Sequence, residues 1–145
     1  MLTTLVLVGV PVKPFASAKQ RLAAALTPEA RIALSREMAR LTCGLVVAAG
    51  ARPLVLAADR EVEQWAMEQS IEVTFDAGSN LDRAARSAVD AAAGRPWMIL
   101  HADLPFLNEE ALSIVVELVA GGQSAIAPSR DGGTPLIAAS LDAFE

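Results

Sequence analysis

The stretch that decides the fold is L-T-T-L-V-L-V-G-V-P-V-K-P, Leu2 to Pro14. Its first nine residues are an almost unbroken apolar run rich in Leu and Val, which predicts a strand buried on both faces. The two prolines Pro11 and Pro14 and a basic segment follow at once. A strand buried on both faces belongs to a sheet covered by helices on either side, and the rest of the chain bears out that alternation. Thr27 as N-cap, Pro28 at the first helical position and Glu29 beside it open a helix. Leu34, Met38, Leu41 and Leu45 repeat along it at helical spacing, and Gly50 is its expected C-terminal stop.

Pro53 to Ala58 reads as a second buried strand, and Asp59 caps a short helix with Val62, Trp65 and Ala66 on one face. Ile71, Val73 and Phe75 alternate with polar residues as in a half-buried strand. Leu81, Ala84, Ala85, Ala88 and Val89 mark a third helix that ends near Gly94. Trp97 to Leu100 is a fourth strand. Asn108 caps a helix bearing Leu112, Val115, Val116 and Val119, stopped by Gly121 and Gly122. Ala125 to Ala127 and Leu136 to Ala139 complete the set. This order predicts right-handed βαβ units in one domain over residues 1–145: a Rossmann-like α/β/α sandwich with a mostly parallel sheet.

Composition narrows the function. With 53% hydrophobic and 20% charged residues, the 145-residue chain is a globular domain and not a disordered one. No apolar run reaches the roughly 18 residues of a spanning helix, and the N-terminus lacks a basic leader and cleavage site. One cysteine, Cys43, and one histidine, His101, speak against a disulfide framework, a thiolate zinc site and a histidine triad. The expected location is the cytoplasm, with no membrane partner. A net charge of −5 argues against nucleic acid. Yet residues 1–40 hold six basic side chains against two acidic ones, a local excess of +4 that points to a small anionic ligand.

In parallel sheets ligands bind beyond the carboxyl ends of the strands, so the segments after each strand matter most. The first strand is followed by V-P-V-K-P-F-A-S-A-K-Q-R-L, Val10 to Leu22, in which Lys13, Lys19 and Arg21 suit phosphate oxygens. A solvated basic loop has the same composition. Neither G-x-x-x-x-G-K-[ST] nor G-x-G-x-x-G is present. After the fourth strand comes H-A-D-L-P, where Asp103 is a candidate oxygen ligand for a hard divalent cation, or an ordinary strand-ending turn residue. P-S-R-D-G-G-T-P, Pro128 to Pro135, brings Gly132, Gly133 and Thr134 into a turn whose backbone a ligand can approach. D-A-G-S-N-L-D-R-A, Asp76 to Ala84, presents amides and the side chains of Asn80 or Asp82 to a base edge, or simply caps a helix.

In this order, V-P-V-K-P, A-K-x-R-L, T-P-E-A-R, A-D-L-P and D-G-G-T resemble the 2-phospho-L-lactate guanylyltransferase family. These are relatives of the molybdenum-cofactor nucleotidyltransferases with a nucleotide-diphospho-sugar-transferase type of fold. The resemblance implies transfer of GMP from GTP to 2-phospholactate, phosphoenolpyruvate or a similar phosphoacid, with pyrophosphate release, in coenzyme F420 biosynthesis. It assigns Val12, Lys13, Lys19 and Arg21 to the nucleotide, with Lys19, Arg21 and Asp103 as the catalytic set and Asp103 as the Mg2+ ligand. Gly78, Asn80 and Asp82 fall beside guanine, and Gly132, Gly133 and Thr134 beside the acceptor.

Asp82 and Pro135 depart from the family, which has Asn at both positions. Family members also run on past the point matching Glu145, with further acidic residues for the metal. The alternatives are a nucleotidyltransferase for a molybdopterin or sugar phosphate, and a non-catalytic nucleotide-binding module. An incompletely covered sheet is expected to self-associate into a homo-oligomer.

Overall fold

A computed structural model describes residues 6–17, 24–75, 81–102, 108–122, 125–127 and 136–139. The elements run β1 (Leu7–Val12), α1 (Pro28–Ala48), β2 (Arg52–Ala57), α2 (Arg60–Glu68), β3 (Val73–Phe75), α3 (Leu81–Ala92), β4 (Trp97–Leu100), α4 (Glu109–Ala120), β5 (Ala125–Ala127) and β6 (Leu136–Ala139). They build one six-stranded sheet in the order β3-β2-β1-β4-β6-β5. The strands β1 to β4 are mutually parallel, and β6 runs antiparallel to both β4 and β5.

The chain winds first from β1 outward to β3, then returns through α3 to place β4 on the other side of β1. That reversal divides the helices. The face carrying α1, α2 and α4 buries Val6, Val8, Val10 and Val12 with Val55, Ala57, Met98 and Leu100. The opposite face buries Leu7, Leu54, Leu56, Trp97 and Ile99 beneath Ala88 and Ala92 of α3. The strands β1, β2 and β4 thus send alternate residues into two dry layers, which is why their runs read as apolar.

Gly9 faces α3. A Cβ there would sit 3.0 Å from Ile99 Cδ1, 3.2 Å from Leu56 Cδ1 and 3.4 Å from the Ala88 methyl. Its bare backbone, opposite a small Ala, lets the helix settle close on the sheet.

The predicted helix starts are as built: Thr27, Asp59 and Asn108 accept from the backbone N–H groups of Ala30, Val62 and Ala111. Two expectations shift. Among the described residues the first strand runs from Leu7 and continues through Pro11 to Val12, and residues 2–5 of the expected run lie outside them. In β1 the odd residues turn their N–H toward β4, as the bond from Leu7 to the Pro96 carbonyl records, while Val12 turns toward β2. Pairing with β4 stops at Gly9. In this register the next acceptor would be the carbonyl of Leu100, the last residue of β4, so the missing N–H of Pro11 ends the β1–β4 ladder, while pairing with β2 continues to Val12.

The second shift concerns α1. Its buried face is Arg31, Ser35, Ala39, Thr42, Cys43 and Val46, whereas Leu41 is 51% exposed. Small side chains allow α1 to lie close over the sheet, and the larger Leu34, Met38 and Leu45 flank that contact, half-buried. No helix among the described residues is long and apolar enough to cross a membrane.

Candidate functional site

The sheet opens where β1 and β4 part. At the carboxyl edge of β1 the chain leaves the core at Lys13, which is exposed, and returns to it at Phe15, which is fully buried. A turn closes behind: the Ser17 amide and hydroxyl both donate to the Pro14 carbonyl at 3.1 Å. Phe15 meets the Trp65 ring nearly perpendicularly, with centroids 5.4 Å apart. The Arg36 guanidinium lies 5.3 Å from the centre of the Phe15 ring and pairs with Glu61 at 3.2 Å. Val12 points its side chain into the core, and its carbonyl accepts from the Ala58 amide at 3.2 Å, so any contact it makes with a ligand is made by backbone.

At the neighbouring edge, β4 ends at Leu100, and His101 and Ala102 follow half-buried. The Thr42 hydroxyl of α1 donates to the Ala102 carbonyl at 3.5 Å, a long contact. This contact marks the height of the helix against the sheet. At 1.5 Å per residue α1 is about 31 Å long, against about 20 Å for a six-residue strand. With Thr42 level with the first residues past β4, the turns before it project beyond the carboxyl edge. On that projecting part stand Arg31 and Ser35, which share the buried face with Thr42 at 9%, 8% and 4% exposure. The Ser35 hydroxyl has no hydrogen-bond partner among the described residues. The pattern of Leu34, Met38, Leu41 and Leu45 marks the flank of the buried face, with only Leu41 exposed, and does not single out these buried polar groups. The polar residues at 31, 35 and 42, spaced four and seven apart, were the available signal.

The predicted site is only partly covered. Lys13 and Val12 stand at the expected edge. Lys19, Arg21, Gly78, Asn80, Asp103, Gly132, Gly133, Thr134 and Pro135 lie outside the described residues. Asp82 is described only through its backbone, as the second residue of α3. No group of three His, Cys, Asp or Glu side chains forms a metal set among the described residues.

Two other features are not sites. A shallow groove on the outer side of α4 is lined by Glu109, Glu110, Ser113, Ile114 and Glu117, and its three carboxylates would repel a phosphate. Burial pushes the Cys43 thiol up to about 12, so it is not a nucleophile near neutrality.

The comparisons with known proteins agree with this architecture. A crystal structure titled as a nucleotide-diphospho-sugar transferase from Desulfovibrio desulfuricans superposes with a TM-score of 0.82. It has 18% identity, covering 97% of this chain and 65% of that one. A nucleotidyl transferase from Methanothermobacter thermautotrophicus gives a TM-score of 0.65 at 20% identity, with 96% and 73% covered.

Among curated relatives, a phosphoenolpyruvate guanylyltransferase of Roseiflexus castenholzii is 34% identical over 130 residues, 88% of this chain and 60% of its own. A 2-phospho-L-lactate guanylyltransferase of Natronomonas pharaonis is 33% identical over 133 residues, covering 90% and 60%. One from Methanothermobacter thermautotrophicus is 28% identical over 128 residues, covering 86% and 57%. The chain thus spans somewhat under two thirds of the length of the relatives it matches. The model of the family described as guanylyl transferase CofC like matches residues 6–145. On that match, supported by relatives above 30% identity, the chain belongs to the CofC-like guanylyl transferase family.

Proposed function

We propose that the protein transfers GMP from GTP to a three-carbon phosphoacid, 2-phospholactate or phosphoenolpyruvate, and releases pyrophosphate, in coenzyme F420 biosynthesis. The observation that carries this reading is the basic segment beginning at Lys13, at the carboxyl edge of β1 where the sheet opens toward β4, in a chain of this family. In parallel α/β sheets, that edge at a reversal of strand order is where nucleotides bind.

In this reading Lys13, Lys19 and Arg21 hold the triphosphate, Gly78, Asn80 and Asp82 meet guanine, and Gly132, Gly133 and Thr134 meet the acceptor. A phosphate oxygen of the acceptor attacks the α-phosphorus in line as the bond to pyrophosphate breaks, and no covalent enzyme intermediate is needed. Catalysis rests on holding the two anions together and neutralising their charge. The Asp103 carboxylate, one residue past the Ala102 carbonyl that Thr42 engages, is a donor of the hard oxygen type that Mg2+ takes. A bound Mg2+ would draw charge from the phosphates, with phosphate oxygens and waters as its other ligands.

The metabolite substrates and the single buried thiol support a cytoplasmic location. Exposed Leu41, Val47, Ile114 and Leu118 support association into a homo-oligomer, which sedimentation at two concentrations tests.

The decisive assay is pyrophosphate release by the purified 145-residue chain with Mg2+, GTP and each phosphoacid. Release that depends on the acceptor is the expected result, and Lys19→Ala or Arg21→Ala should abolish it. Binding of GTP without turnover would make the chain a nucleotide-binding module. Turnover with CTP in place of GTP would move it to another class of nucleotidyltransferase.

A further inference from the structure

We infer that Phe15 is a positioning residue for the nucleotide phosphates: clamped between Trp65 of α2 and Arg36 of α1, it holds the start of the basic segment, residues 13–17, in its binding conformation and acts through Lys13. The inference rests on reading that loop as the phosphate-binding segment.

A loop of fixed cations tends to be mobile. Its charges repel one another, it has no apolar content to bury, and a ligand that orders it does so at a cost in conformational entropy. The segment after β1 is built differently. Lys13 is bracketed by two buried residues, Val12 as the last residue of the strand and Phe15 three positions on. Between them only Lys13 and Pro14 lie outside the core, and the ring of Pro14 fixes one backbone angle of the pair. The turn from Ser17 back to the Pro14 carbonyl closes the segment on its far side.

The anchor that pins this bracket is directional. The Phe15 ring is set edge-to-face against Trp65 at 80°. The Arg36 guanidinium lies 5.3 Å from its centroid and is itself oriented by Glu61 at 3.2 Å. An aliphatic side chain would fill the same space, but it could not engage the guanidinium through a ring quadrupole. Because Arg36 lies on α1 and both Glu61 and Trp65 on α2, the clamp ties the loop to the two helices flanking β2. The Arg36 charge sits over a ring and beside a carboxylate, whereas Lys13 is exposed at the strand end with no ion pair among the described residues.

The experiment uses the intact chain and its two tryptophans. Trp65 touches Phe15, whereas Trp97 is buried in the separate layer under α3. Titrating Mg-GTP into Trp97→Phe, which keeps Trp65, should change its fluorescence. The same titration into Trp65→Phe should leave the Trp97 signal flat. Phe15→Leu should weaken Mg-GTP binding about tenfold, the loss expected for an aromatic pair together with a cation–π contact. Arg36→Gln, at an exposed side chain, should weaken it about threefold without unfolding the protein. It carries the test should Phe15→Leu fail to fold. The double variant Phe15→Leu/Lys13→Ala should bind no more weakly than Lys13→Ala alone, since Phe15 acts through that lysine.

A folded wild type that binds no GTP would overturn the proposed function, and this inference with it. A wild type that binds GTP, with Phe15→Leu and Arg36→Gln binding equally well at lower melting temperature, would leave the function standing and reduce Phe15 to a core residue. Additive losses in the double variant would have the same effect.

Discussion

Replacing Gly9 by alanine tests the claim that α3 is seated by the absence of a side chain. Two effects oppose each other. Alanine restricts the unfolded chain and should stabilise by about 0.4–1 kcal/mol where the backbone tolerates it. Against this, the new methyl would lie 3.0 Å from Ile99 Cδ1 and 3.2 Å from Leu56 Cδ1. Both neighbours are fully buried, so their tips have little room to retreat. Overpacking of this kind costs about 1–3 kcal/mol, and it should win. The net loss is then about 1 kcal/mol, or about 2–4 °C of melting temperature for a chain of this size.

Thermal unfolding followed by circular dichroism measures that loss. Ile99→Val removes the atom nearest the clash, so it should cost at least about 0.5 kcal/mol less in the Gly9→Ala background than in wild type. An unchanged or raised melting temperature for Gly9→Ala, or strict additivity with Ile99→Val, would show that α3 is not held at the distance described.

Three further outcomes are expected. Thr27→Ala removes the acceptor for the Ala30 amide and should cost about 1 kcal/mol in a chemical melt, whereas Thr27→Ser should be nearly neutral. The Cys43 thiol, raised to about 12 by desolvation of its thiolate, should resist an aromatic disulfide reagent at pH 8 until the protein unfolds. Because its folded value lies above the unfolded one, the stability it contributes is complete below the unfolded value and is lost as the pH climbs toward 12; melts from pH 8 to 11 test that sign. Lys13→Ala removes an exposed charge, so the melting temperature should hold while Mg-GTP affinity falls about tenfold, as for loss of a charge-assisted phosphate contact. Equal affinity in calorimetry would take Lys13 out of the phosphate site.

Much of the architecture was legible in local chemistry. Thr27, Asp59 and Asn108 satisfy orphan amides of the helices they begin, and such bonds depend only on residues three positions apart. The runs at Leu7–Val12 and Trp97–Leu100, and Arg52–Ala57 after its exposed first residue, are apolar because these strands are covered on both sides, which makes a parallel sheet readable without knowing its strand order. The motifs themselves carried the family.

Other features belong to the tertiary structure alone. Strand order places β6 between β4 and β5 and reverses the winding at β1, and no local pattern encodes which edges meet. Past Arg31, the buried side of α1 runs through Ser35, Ala39, Thr42 and Cys43, because close packing on a sheet selects small residues over the larger leucines beside them. Pro11 sits at the last step of the β1–β4 ladder, where its missing N–H ends the pairing after Gly9, and that position depends on which strand lies beside β1. Phe15 reads in sequence as one apolar residue in a basic loop. Its part as an anchor depends on Arg36, Glu61 and Trp65, which lie 21 to 50 positions away and reach it only when two helices pack on the same face of the sheet. Sequence sets the elements and their caps because those interactions are local. The site's support is set by contacts between residues that only the folded chain brings together.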